Sequence, residues 1–130
     1  MFFRSDFPYF RIPNMINFHY EKAGKNKDIV VVVLSGRLDS NNSDYLLDCV
    51  EEEVLDGSRK VILDCREISH ITSMGLGNLV RVNSRMRKLG GEVKLARLQG
   101  PVAQIISVVG LNRIFQIYPR VRDAIEALGG

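Results

Sequence analysis

The run Ile29-Val30-Val31-Val32-Val33-Leu34 decides the fold of this chain. It is its longest unbroken apolar stretch, β-branched except at Leu34, and far short of the roughly 18–20 residues that cross a bilayer. Such a run suits a strand covered on both faces. Before it, Ile16, Phe18 and Tyr20 alternate with polar residues and predict a half-buried strand ending at Ala23-Gly24. After it, Leu46, Cys49, Val50 and Val54 recur at helical spacing up to Asp56-Gly57. Val61-Ile62-Leu63 is a second short buried strand. Leu76, Leu79, Val80, Met86 and Leu89 predict a helix stopped by Gly90-Gly91. A strand follows from Val93 to Leu98. Val102, Ile105, Ile106 and Val109 predict a helix opened by Pro101 and ended by Gly110. Ile114, Phe115 and Ile117 suggest a short strand. Val121, Ala124, Ile125 and Leu128 make a last helix between Pro119 and Gly129-Gly130.

The order is therefore β-β-α-β-α-β-α-β-α. It predicts an α/β domain whose mixed sheet of four to five strands is covered by about four helices. A length of 130 residues suits one domain. At 45% hydrophobic and 25% charged residues, collagen-like, disordered and disulfide-scaffold classes are excluded. Residues 1–14 carry Phe2, Phe3, Phe7, Tyr9 and Phe10 without period and are expected to form an extension to a domain at 15–130, with Met15 a candidate natural start. Arg4, Asp6 and Pro8 break any signal-peptide pattern, so a cytoplasmic protein off the membrane is expected. Cys49 and Cys65 are expected as buried small hydrophobes rather than a disulfide.

Net charge is +3, unevenly spread. Residues 81–97 hold six basic side chains (Arg81, Arg85, Arg87, Lys88, Lys94, Arg97) against Glu92, so that segment is +5 and the remainder −2. A solvated helix face is the plain reading. No direct nucleic-acid binding is expected, because Arg81, Arg85 and Lys88 lack aromatic stacking neighbours.

In α/β domains, ligands and partners meet the carboxyl ends of the strands. That directs attention to DCREISHITSMGLGNLV, residues 64–80. Gly75 and Gly77 do not make a dinucleotide fingerprint, since Val80 occupies the third glycine position, and no GxxxxGK[ST] loop exists. Ser73 has His70 and Asp64 upstream but sits in no G-x-S-x-G elbow. His19, His70, Cys49 and Cys65 show no metal-binding spacing, His19 reading as a solvent-facing strand residue and His70 as loop. No catalytic residue, metal or cofactor is expected. What remains is a pair of hydroxyls, Thr72 and Ser73, at the mouth of a helix. The plain reading of both is N-capping; the same position also suits a phosphorylation site, where a charge near −2 meets free N–H groups and the positive end of the helix dipole.

Val61-Ile62-Leu63-Asp64, Ile68, Ile71 and Thr72-Ser73-Met74-Gly75-Leu76-Gly77 resemble the signature of the STAS family, the sulfate transporter and anti-sigma factor antagonist domain. Ser35-Gly36-Arg37-Leu38-Asp39 and the stretch from Val109-Gly110-Leu111 through Asn112-Arg113-Ile114 to Phe115-Gln116-Ile117-Tyr118-Pro119 agree with it. For a stand-alone domain the resemblance implies an anti-sigma factor antagonist of bacterial partner switching, not an enzyme. Unphosphorylated, it would bind an anti-sigma factor that is also a serine kinase using ATP, releasing a sigma factor. Phosphorylation at Ser73 (Thr72 as the alternative) would end binding, and a metal-dependent serine phosphatase would restore it. Asp39 falls where the family has an acidic residue beside the phosphoserine, or else it caps a helix. The implied docking surface comprises Asp39, Ser73, Met74, Gly75, Gly77 and Asn78. Thr72 replaces the family's usual aspartate, and Met74 a usual small residue. The alternative is a non-switching scaffold subunit of a stress-sensing or lipid-transport complex.

Overall fold

The computed structural model describes residues 17–24, 28–39, 46–48, 50, 51, 57 and 59–129. The expected extension at 1–14, the start at Met15 and Cys49 lie outside them. Five strands form one sheet in the order β1-β2-β3-β4-β5. They are β1 (Asn17–Ala23), β2 (Ile29–Leu38), β3 (Lys60–Ile71), β4 (Glu92–Ala96) and β5 (Ile117–Tyr118). β1 runs antiparallel to β2, with Ala23 opposite Ile29, and the other neighbours pair in parallel. The helices are α1 (Ser73–Lys88), α2 (Gly100–Val108) and α3 (Val121–Ala127), preceded by helical residues at 46–48, 50 and 51. The predicted mixed sheet and element order are both present.

The IVVVVL run explains the layering. Val30, Val32 and Leu34 pack with Leu46, Val50, Leu79, Val82, Met86, Val102 and Ile106 on one face. Ile29 and Val31 pack on the other face with Ile62, Ala96, Ala124 of α3 and Leu128 just after it. Fully burying each such side chain is worth about 1.5–3 kcal/mol, so this strand anchors both cores. Cys65 is buried among them like the small hydrophobe expected, and burial pushes its thiol up to about 12, with help from the Asp64 charge.

The main departure lies beyond Leu34 and Leu63. Both strands continue, so that residues expected in loops, His70 included, form a paired arm. Ser35, Gly36, Arg37 and Leu38 lie opposite Glu67, Ile68, His70 and Ile71. The register shifts between Val33 and Ser35 and again between Gly36 and Arg37, where Gly36 takes a φ of 108°. Bulges of this kind break the two-residue alternation that reveals a strand. Cys65, Ile68 and Ile71 are consequently buried at intervals of three. Elsewhere β4 stops at Ala96, because Arg97 turns left-handed with a φ of 62°. β5 is shorter than expected. Leu111–Arg113 form a 3-10 turn, Phe115 is buried, Ile114 is exposed, and only Ile117 and Tyr118 pair.

Candidate docking site at the start of helix α1

The extended arm of β2 and β3 carries the chain to the mouth of α1. The Thr72 N–H donates to the carbonyl of Leu38 at 3.1 Å, joining the end of β2 to the start of the helix. Ser69 Oγ donates to the Gly36 carbonyl at 3.0 Å and ties the same arm three residues earlier along the chain. Position 75 must be glycine here, since a Cβ would stand 2.2 Å from the Leu38 carbonyl oxygen. At position 77 nothing lies within 4 Å of such a Cβ.

The two hydroxyls have separate duties. Thr72 is the N-cap in extended conformation, and its Oγ1 accepts from the Gly75 N–H at 3.2 Å. Ser73 is the first helical residue, exposed, and its side chain has no hydrogen-bond partner among the described residues. Met74 follows with 62% of its surface exposed. The first turn of α1 contains no acidic residue. A phosphate on Ser73 would therefore meet free N–H groups and the helix dipole, with no carboxylate in its own turn.

Around this turn, Asp39 is half-buried and its Oδ2 lies 3.6 Å from Arg37 Nε. It follows Leu38 directly, so the Thr72–Leu38 hydrogen bond brings it beside the helix start. The residues that would accompany an N-cap role for Asp39 lie outside the described ones. Two members of the expected surface are placed otherwise. Gly75 is buried against Leu38, and Asn78 is only 2% exposed on the inner side of α1. Neither presents a side chain to a partner, because helical geometry turns residues 75 and 78 inward together, three apart, while 73, 74 and 77 face out. Gly75 thus acts as a spacer rather than as part of a flat surface.

Sequence reasoning missed Arg97. Its guanidinium Nε lies 3.2 Å from Oδ1 of buried Asp64, which also accepts the Arg66 N–H at 3.2 Å. This pair ties the middle of β3 to the residue that follows β4. A non-glycine residue at positive φ leaves no mark in hydropathy, so the pairing was invisible. His70 Nδ1 sits 3.3 Å from Ser69 Oγ on the exposed arm. No group of three His, Cys, Asp or Glu able to hold a metal occurs among the described residues, and none of their helices is long and apolar enough to cross a membrane.

The basic segment is partly neutralised in place. Arg85 pairs with Glu51, Lys94 with Glu92 and the Gln116 amide oxygen, and Arg97 with Asp64.

Comparison with known proteins agrees with this fold. An anti-sigma F factor antagonist of Paenibacillus polymyxa is 25% identical over 104 residues, spanning 79% of this chain and 89% of that one. The crystal structure of an anti-sigma factor antagonist from Mycobacterium paratuberculosis superposes with a TM-score of 0.77 at 24% identity, covering 93% of this chain and all of the other. The Bacillus cell fate determinant SpoIIAA in its phosphorylated form shares the fold with a TM-score of 0.63 at 18% identity, over 85% and 98% of the two chains. The STAS domain profile matches residues 20–124, and this chain belongs to the STAS domain family.

Proposed function

We propose that this protein is an anti-sigma factor antagonist switched by phosphorylation at Ser73. Unphosphorylated, it binds an anti-sigma factor that is also a serine kinase, through Ser73, Met74, Gly77 and the neighbouring Asp39. The observation that carries the reading is the division of labour at the helix start: Thr72 caps, and the adjacent Ser73 hydroxyl is exposed and unengaged among the described residues. A kinase can take that hydroxyl without dismantling the cap. The dianion then alters the surface next to Met74 while the buried Gly75–Leu38 contact beneath is untouched. Facing acidic or unmatched partner groups, such a charge weakens binding by several kcal/mol, about a thousandfold at 4 kcal/mol. The relative described as an anti-sigma F factor antagonist supports the role, and in this reading a metal-dependent serine phosphatase completes the cycle in the cytoplasm.

The test is incubation with the co-purified anti-sigma kinase and ATP, followed by phosphopeptide mapping and affinity measurement. Label at Ser73, its loss in Ser73→Ala with binding retained, and weakened binding of Ser73→Asp are expected. Equal affinity and equal label in wild type and Ser73→Ala would reject the assignment, and absence of label at both hydroxyls would favour a scaffold subunit.

A further inference from the structure

The opposite end of the sheet carries a second surface. α1 is 16 residues long, about 24 Å at 1.5 Å per residue, and it returns the chain from the Ser73 end to the start of β4. There a cleft of about 340 Å³ lies between the last turns of α1, the edge of β4 and the segment 112–116.

Three independent features converge on it. The first is an open strand edge. β3 pairs with β4 from Glu92 to Ala96, but on the other side β5 reaches only Leu95 and Ala96, leaving 92–94 with no strand partner among the described residues. Backbone groups on such an edge can add an extended chain. The second is apolar exposure. Val108, Val109 and Ile114 are 84%, 52% and 45% exposed, and Ile114 lines the cleft itself. Val108 and Val109 stand at the end of α2, outside the lining, so Ile114 is the exposed apolar contact that the cleft itself offers. The third is charge. Arg87 and Arg113 line the cleft, and neither side chain makes an ion pair or hydrogen bond with a described residue. Lys94 adds a third cation whose side chain is 12% exposed and engaged by Glu92. With Glu92 the lining sums to +2.

We infer that this cleft is a docking site for an extended acidic peptide segment of a partner protein, with an apolar side chain placed on Ile114 and carboxylates on Arg87 and Arg113. The open edge calls for an extended backbone, and exposed Ile114 in the lining gives an apolar side chain a place to sit. The two arginines select acidic over basic segments. The cleft lies at the far end of α1 from Ser73, so its occupancy is read separately from the switch proposed above.

The test is an amide NMR titration of the isotopically labelled full chain with an acidic octapeptide containing two leucines. Saturable shifts at Arg87, 92–94 and 112–116 are expected, with 72–77 unmoved. The double variant Arg87→Glu/Arg113→Glu should bind at least tenfold more weakly while keeping the dispersed spectrum of the folded chain. Ile114→Ser, which leaves the charges in place, should bind several-fold more weakly and serves if the double variant misfolds. Absence of saturable shifts, shifts centred elsewhere, or undiminished binding by the folded variants would overturn the inference. So would equal binding, in the same cleft, of a peptide with serines for leucines or of a short single-stranded oligonucleotide.

Discussion

The Leu38 carbonyl oxygen lies 2.2 Å from where a side chain at position 75 would begin, so the end of β2 and the first turn of α1 touch backbone to backbone at Gly75. This contact sets the height at which Thr72 caps and Ser73 emerges.

Gly75→Ala should therefore destabilise the fold by roughly 1–3 kcal/mol, since backbone rather than a flexible side chain must move. Gly77→Ala, two residues on, meets open space within a helix and should stabilise by about 0.5–1 kcal/mol. Urea unfolding of both variants checks the pair, and midpoints moving the same way would contradict the packing.

Thr72 and Ser73 should separate under truncation. Thr72→Ala removes the acceptor for the Gly75 N–H and should cost about 0.5–2 kcal/mol. Ser73→Ala should change stability by no more than about 0.5 kcal/mol, as for an exposed surface site. Thermal unfolding distinguishes them without any partner protein.

Asp64 should tolerate isosteric neutralisation poorly. Asp64→Asn leaves the Arg97 guanidinium beside a neutral group at a buried site, with an expected loss of about 1–3 kcal/mol. Neutralising Asp123, whose surface pair with Arg120 closes at 3.0 Å, should move the urea midpoint far less.

The Cys65 thiol titrates near 12 when folded, against an ordinary 9.0. The folded chain thus holds a proton that the unfolded chain releases. This contribution is complete below pH 9 and is lost as pH rises from about 9 towards 12. Alkylation with iodoacetamide at pH 8, mapped by mass spectrometry, should leave Cys65 unmodified in the folded chain and modify it in urea. Rapid native labelling at Cys65 would contradict its burial.

The apolar patterns determined a great deal by themselves. Ile29 to Leu34, Val61 to Leu63 and the four helical stripes predicted a doubly covered mixed sheet, because burial of a face leaves a period in the residues that form it. Thr72 and Ser73 were legible as helix-mouth hydroxyls for the same local reason. Tertiary structure decided what locality does not encode. The β2–β3 arm depends on two register shifts, which erase alternation, so the strand read at Val61 to Leu63 did not extend to Ile68 and Ile71. Only the approach of Leu38, 37 residues away in sequence, shows Gly75 to be a spacer, and the bond from the Gly75 N–H to Thr72 Oγ1 assigns the cap to Thr72 rather than Ser73. Likewise Arg97 meets Asp64 and the cleft forms between Arg87 and Arg113 because the sheet folds distant residues together, a proximity to which hydropathy and spacing are blind.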